Sequence, residues 1–113
     1  MPIDVLQHDD VVRIGRTWIL DGTAPTADDG TIETLSTVRC EIRSEPGGLL
    51  LVTCSGTVSG AGGVWTVEAA YADTAQLLPG FAVYEVVATL TNGRRVTLVE
   101  GSLQVVRTAT VWT

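Results

Sequence analysis

The residues of this chain that could perform chemistry are few, and the first group lies near the amino terminus. His8 is the only histidine, and Asp9 and Asp10 follow it. An imidazole beside carboxylates can act as a general base, but catalysis also needs a nucleophile and rigid positioning of every group. We expect residues 1–10 to form a short N-terminal arm, which does not supply that rigidity. We therefore predict that His8 is solvated, that the chain has no catalytic residue, and that it is not an enzyme.

Carboxylates raise the separate question of a calcium site. The acidic residues in question are Asp9-Asp10, Asp21 and Asp28-Asp29. Calcium binds about six to eight oxygen atoms that converge on one point, and acidic loops at one end of a β-sandwich can supply them. The spacing of Asp28-Asp29 does not match an EF-hand loop, and one histidine does not make a transition-metal site. We expect ordinary acidic surface loops, no metal and no other cofactor.

Two cysteines, Cys40 and Cys54, flank a predicted turn at Pro46-Gly47-Gly48. If that turn is a three-residue loop, Glu45 pairs with Leu49, and Cys40 then lies opposite Cys54. A disulfide between the two strands is conceivable at that geometry. We favour two reduced thiols packed as small apolar side chains, because the start of the sequence has neither the basic nor the apolar region of a secretory signal. A zinc site is not expected, since further ligands are missing.

Two other patterns were considered as binding sites for small molecules. Gly60-Ala61-Gly62-Gly63 is rich in glycine, but no Lys-Ser or Lys-Thr follows it, and the chain contains no lysine. We expect a flexible connection there and no small-molecule substrate. Tryptophan can stack on sugar rings, but Trp18 and Trp65 occupy inward-facing positions and are expected in the core. Trp112 stands in an apolar terminal segment, which either folds back on its own sheet or docks on a neighbour.

Composition limits the class of protein and of partner. The 113 residues suffice for one domain with a buried core. There are 7 Lys and Arg against 13 Asp and Glu, which gives a net charge of −6. A chain of this sign is not attracted to nucleic acid or to an anionic membrane, and no apolar run reaches the ~18 residues of a membrane helix. We expect neither partner, and we expect synthesis in the cytoplasm.

The elements that position these residues are predicted to be short strands. Val38–Arg43 alternates between inward and outward residues, and the strand after the turn continues inward at Leu50, Val52 and Cys54. Val64–Ala69 and Phe81–Leu90 alternate in the same way. Further expectations are a strand starting near Val11, a turn at Asp21-Gly22, and a long loop over residues 23–35 in which one short strand around Thr31–Glu33 is left open. Residues 55–63 are expected to form a Ser/Gly-rich connection, in which a ragged strand at Thr57-Val58 is left open.

A hairpin is predicted around Asn92-Gly93, because this dipeptide between two alternating runs is the strongest local signal for one. Burial favours a loop of three residues that sets Leu90 opposite Val96. Between the hairpin and the preceding strand, residues 71–78 allow at most a brief helical turn, since Pro79-Gly80 ends it. About seven strands with regular turns and no helical period predict an all-β, immunoglobulin-like antiparallel β-sandwich, with a closed barrel as the rival. Residues 1–113 form a single domain, with an arm at 1–10 and a tail at 107–113.

Short motifs that carry a family resemblance run through nearly the whole chain. They are Ile14-Gly15-Arg16-Thr17, Asp21-Gly22, Val38–Arg43, Val64-Trp65-Thr66-Val67, Asp73-Thr74, Leu78-Pro79-Gly80, Tyr84-Glu85-Val86, Asn92-Gly93-Arg94 and Val99–Val105. Together they resemble the small immunoglobulin-like domain of tailed-phage virion proteins, such as the N-terminal domain of baseplate upper proteins and related head- or tail-attached modules.

The resemblance implies a non-enzymatic structural component of a phage particle, attached to head, connector, tail or baseplate. Its partners would be other virion proteins, with self-association left open. The contacts are expected from the N-terminal arm, the loop over residues 21–36 and the C-terminal tail. The residues chosen are Ile3, Val5, Leu6, Asp28, Asp29, Val111 and Trp112. The alternative is a carbohydrate- or receptor-binding immunoglobulin-like module.

Overall fold

The computed structural model of the chain describes residues 5–27 and 29–108. Within these ranges there are eight strands and one helical turn. Their bounds are β1 Leu6–Gln7, β2 Asp10–Arg13, β3 Trp18–Thr23, β4 Leu35–Arg43, β5 Leu50–Ser59, β6 Val64–Ala69, α1 Tyr71–Thr74, β7 Gly80–Leu90 and β8 Arg95–Val106. No helix among the described residues is long and apolar enough to cross a membrane.

The strands form one curled sheet that folds into the two layers of a sandwich. Their order is β1-β8-β7-β4-β5-β6-β3, and β2 also pairs with β8. β5 joins the layers, because it pairs with β4 up to Cys54 and with β6 from Ser55 onward. Gly56 permits this crossing, since a Cβ there would collide with the backbone of Val38. The predicted β-sandwich is confirmed.

The core consists of the inward residues of both layers, as alternation predicted. Val38, Cys40 and Ile42 are buried in β4, and Ala82, Tyr84, Val86, Ala88 and Leu90 are buried in β7. Trp18 and Trp65 are buried, which confirms their predicted place in the core. The rings of Trp18 and Tyr84 meet edge to face, with centroids 5.4 Å apart and planes at 73°. This geometry suits the quadrupoles of the two rings.

The amino-terminal segment differs from the predicted free arm. Pairing begins at Leu6, which lies beside Val99, and resumes at Asp10, which lies beside Leu103. Both short strands run parallel to β8, whereas the other strand pairs are antiparallel. The segment therefore belongs to the sheet from residue 6 onward.

Two predicted connections are strands. The turn expected at Asp21-Gly22 is wrong, because both residues lie within β3, where Gly22 opposes Trp65. A Cβ at Gly22 would approach the Trp65 indole to 2.6 Å, so this glycine makes room for a ring and does not reverse the chain. The connection expected over residues 55–63 is shorter than predicted, since β5 continues to Ser59 and includes Thr57-Val58, where a strand was left open. The long loop is confirmed in a shorter form, because β4 already begins at Leu35.

Both hairpins contain a bulge at a position that the sequence did not indicate. In the β4–β5 hairpin, Cys40 lies opposite Cys54 as predicted, but the Ser44 N–H donates to the Leu49 carbonyl, so the expected Glu45–Leu49 pair is wrong. The register shifts after Ile42, and Leu50 is 41% exposed instead of inward.

The second hairpin is confirmed at Asn92-Gly93, but its predicted register is wrong. Val96 lies opposite Ala88 and not Leu90, whose N–H donates to the carbonyl of Arg94. A shift between Val86 and Val87 then leaves Leu98 and Val99 buried in succession. Because of this bulge, apolar residues of β8 are buried although the register differs from the expected one.

Candidate interaction surface

Four of the predicted contact residues, Ile3, Asp28, Val111 and Trp112, lie outside the described residues, so their predictions remain predictions. Of the others, Val5 and Leu6 are exposed at 39% and 61%. The third, Asp29, is exposed, and its Oδ1 accepts the Thr31 N–H at 2.9 Å. That backbone hydrogen bond lowers the pKa of the Asp29 carboxyl.

The structure brings part of the amino-terminal segment to the start of the long loop. Leu6 and His8 line a cleft of about 470 Å³ together with Ala24, Pro25 and the end of β3. Asp29 does not line this cleft. The predicted contact residues therefore do not form one surface among the described residues.

A larger set of exposed apolar side chains lies at the opposite end of the sandwich. This end holds the β4–β5 turn, the helical turn after β6 and the start of β7, because neighbouring strands are antiparallel. Leu78, Phe81 and Leu49 are 83%, 77% and 71% exposed, which is unusual for side chains of this size. We call six residues the apolar end: Leu49, Leu50, Leu51, Tyr71, Leu78 and Phe81.

A groove of about 820 Å³ lies within this end. Its lining includes Tyr71 and Leu78 of the apolar end, together with Ile14, Arg107 and Thr108. These last two residues are also the last that the structure describes. The predicted tail over 107–113 therefore starts in the groove.

The first half of β5 is an open strand edge. In the part of the chain that the structure describes, Leu50–Cys54 pairs with β4 alone. This stretch carries no charged side chain, although charge is the usual protection of an exposed edge. The two strands at the ends of the strand order are better protected. β3 contains Asp21, and β1 is only two residues long. The β5 edge is thus the edge most suited to pairing with another strand.

Arg43 holds the turn that presents this edge. Its Nη1 donates to the Gly48 carbonyl at 2.9 Å, and its Nη2 donates to Glu41 Oε1 at 2.9 Å. The Ser44 hydroxyl accepts the Leu49 N–H at 3.1 Å. The pairing with Arg43 lowers the pKa of the Glu41 carboxyl. Leu49 therefore projects from a turn whose backbone is fixed by side chains.

The groups considered for chemistry are placed elsewhere. His8 is exposed, with its Nε2 3.9 Å from Asp10 Oδ2. Over residues 5–27 and 29–108, no group of three His, Cys, Asp or Glu is arranged to hold a metal ion. The indole N–H groups of Trp18 and Trp65 donate to Asp10 and to the Thr23 carbonyl, and both rings are buried. Neither ring can stack on a sugar.

Comparison with known proteins shows the fold. No family model and no curated protein matches the chain. Among solved structures it is similar to CopC from Methylosinus trichosporium OB3b, with a TM-score of 0.52 and 14% identity over 92% of this chain and 89% of that one. It is also similar to the fibronectin(III)-like modules of Clostridium thermocellum CbhA, with a TM-score of 0.52 and 15% identity over 97% of this chain and 98% of theirs. The chain has an immunoglobulin-like β-sandwich fold.

Sequence reasoning missed the apolar end. One signal was available, since the three consecutive leucines Leu49-Leu50-Leu51 cannot all face inward in a strand that alternates. A second signal was the pair of large apolar residues, Leu78 and Phe81, on either side of Pro79-Gly80.

Proposed function

We propose that this chain is a non-enzymatic structural component of a tailed-phage virion that acts through protein–protein contacts. The observation that carries the proposal is the uncharged, open β5 edge next to exposed leucines. The phage assignment rests on the resemblance of the motifs described above, and the contact role rests on the surface.

The β5 edge offers both affinity and selectivity to a partner. An added strand would satisfy backbone N–H and C=O groups that now face solvent, and the exposed leucines would be removed from water at the same time. Burial of apolar surface contributes roughly 25 cal/mol per Å², so each leucine removed from water would add to the free energy of binding. The net charge of −6 favours a partner surface that is basic or neutral.

The test is incorporation into particles of the phage or prophage whose genome carries the gene. A tagged copy is supplied during particle assembly, and gradient-purified particles are probed for the tag. We expect the wild-type chain in the particles and at least a tenfold loss for Leu49→Lys, which places a charge beside the open edge. The matched control is Ile19→Lys, on the protected β3 edge and 54% exposed, which should incorporate normally.

Two results would count against the proposal. Particles that contain capsid and tail proteins but none of this chain would remove the virion role. Equal incorporation of both lysine variants would remove the β5 edge as the contact surface. Thermal unfolding of each purified variant separates a lost contact from a lost fold.

The carbohydrate- or receptor-binding alternative has one supporting observation. Tyr71 and Phe81 are exposed aromatic rings, and Tyr71 lines the groove beside Gln76. Aromatic rings next to polar groups can stack on sugars. Glycan binding by the isolated chain that is abolished by Tyr71→Ala would favour this alternative over the virion contact.

A further inference from the structure

Cys40 and Cys54 are direct partners across the β4–β5 pair. Residues opposite each other in an antiparallel pair have Cα atoms about 4.5–5.5 Å apart, within the range that a disulfide spans. Both side chains point into the core, with 0% and 4% of their surface exposed. Both are free thiols in this structure.

The pair lies at the point where the two layers of the sandwich join. Cys54 is the last residue of β5 that pairs with β4, and Ser55 is the first that pairs with β6. Two residues further on, Gly56 lies against the backbone of Val38. A covalent bond at Cys54 would therefore fix β5 at its crossing point and would also fix the open edge of its first half.

We propose that Cys40 and Cys54 form a reversible cross-strand disulfide when the folded protein meets a low-molecular-weight disulfide oxidant, and that this bond locks the junction between the two layers. The proposal goes beyond the virion role and does not depend on it. It assigns a redox modification to two buried side chains, whereas the proposed contact uses the backbone edge of β5 and exposed leucines.

The chemistry is two successive thiol–disulfide exchanges. Cys54, on the edge strand, loses its proton and attacks one sulfur of oxidised glutathione, which releases one glutathione and leaves a mixed disulfide. Cys40 then loses its proton and attacks the Cys54 sulfur, which releases the second glutathione. The cysteine pair loses two electrons, the oxidant gains them, and the released thiolates take up the two protons.

The folded protein controls the rate of this reaction. The hydrogen bond with Cys54 and burial both raise the pKa of the Cys40 thiol, whereas the same hydrogen bond lowers the pKa of the Cys54 thiol, which suits Cys54 to attack first. Both side chains are buried, so glutathione does not reach either sulfur in the closed fold. Oxidation therefore requires brief opening of the first half of β5. Among the described residues that half of β5 pairs on one side only, so local opening costs less than global unfolding.

The test compares the reduced and oxidised forms of one wild-type preparation. The reduced protein is incubated with oxidised glutathione at pH 8 below its Tm, then blocked with a maleimide in denaturant and weighed by mass spectrometry. We expect a monomer that has lost two hydrogen atoms and takes up no maleimide. Its Tm should exceed that of the reduced form by about 5–15 °C, since the bond constrains the segment over residues 41–53 in the unfolded chain. Dithiothreitol should reverse both changes.

Single-cysteine variants provide the matched controls. Cys40→Ser should stop at the glutathione adduct of Cys54, and Cys54→Ser should react more slowly, because Cys40 is fully buried. Oxidation of the same chain in denaturant is the control for the oxidant. If that control forms the disulfide while the folded wild-type protein still takes up two maleimides, the proposal is overturned. An oxidised monomer that melts below the reduced form, or a disulfide between two chains, would overturn it as well.

Discussion

The hydroxyl of Tyr84 donates a hydrogen bond of 2.5 Å to the backbone carbonyl of His8. His8 lies between β1 and β2, and its own N–H donates to the Glu100 carbonyl at 3.0 Å. His8, which connects β1 to β2, is thus held by a hydrogen bond from a core side chain and by a second hydrogen bond to β8. This attachment explains why the amino-terminal segment joins the fold at residue 6.

Removing the Tyr84 hydroxyl should cost less than removing the ring. Tyr84→Phe keeps the contact with Trp18 but leaves the His8 carbonyl without this donor, and we expect a loss of about 1–2 kcal/mol in the free energy of unfolding. Tyr84→Ala also creates a cavity and should cost about 3–5 kcal/mol. Urea denaturation measures both values. A loss below about 1 kcal/mol for Tyr84→Ala would show that the ring is not buried as described.

The same carbonyl makes Gly101 sensitive to substitution. Gly101 is the β8 partner of Tyr84, and a Cβ there would collide with the backbone carbonyl of His8. Because backbone cannot move aside as a side chain can, Gly101→Ala should cost about 3 kcal/mol. Gly63→Ala is the control, since its Cβ would approach only the Gly60 carbonyl, at 3.2 Å. Equal losses for both variants in the denaturation assay would contradict the described packing at His8.

Alternation in the sequence was sufficient to predict the faces of the central strands. From Val38 in β4 and from Ala82 in β7, the residues at every second position are buried, because each strand has one face on the core and hydrophobicity follows the pleat. The pairing of Cys40 with Cys54 was also predicted correctly, but through two errors that cancel. The turn is longer than the predicted loop of three residues, and the bulge after Ile42 restores the register.

What could not be predicted depends on contacts between distant residues. Gly22 has the local signature of a turn, yet it is a strand residue opposite the ring of Trp65, 43 positions later. The parallel pairing of Leu6 with Val99 leaves no local pattern at all. The candidate surface was hard to predict for a similar reason. Whether a strand edge is open depends on how all the other strands are arranged, which the local sequence does not show. Leu49 could be seen as an unusual residue, but its exposure follows from the topology.

Alkaline pH should destabilise the protein through Tyr84. Burial, followed by the nearby Asp10, raises the pKa of the Tyr84 hydroxyl above its usual value of 10. The folded state therefore holds this proton at a pH at which the unfolded chain releases it. The contribution to stability is complete below pH 10 and is lost as pH rises toward the folded pKa.

The expected slope is at most about 1.4 kcal/mol in the free energy of unfolding per pH unit above 10. Urea denaturation of the reduced protein between pH 8 and 11.5 measures it, with the pH range chosen to bracket the usual tyrosine value. Tyr84→Phe should have a shallower slope, whereas Tyr71→Phe, whose ring is exposed, should keep the wild-type slope. If Tyr84→Phe keeps the wild-type slope, groups other than Tyr84 cause the loss of stability at alkaline pH.

Two arginines on the outer face of β4 allow the turn beside the open edge to be tested directly. Arg43 donates to the Gly48 carbonyl and also pairs with Glu41, whereas the Arg39 side chain is 67% exposed and pairs with Glu41. Arg43→Ala should cost about 1–2 kcal/mol, because a charge-assisted hydrogen bond that holds the turn is lost. Arg39→Ala should cost less than about 0.5 kcal/mol, since an exposed ion pair contributes little.

Hydrogen exchange adds a local readout, because only Arg43→Ala should speed exchange at Gly48 and Leu49, whose N–H groups bond within the turn. Unchanged exchange at both amides would show that the turn holds its shape without the arginine, and the exposed leucines would then be presented by the backbone alone.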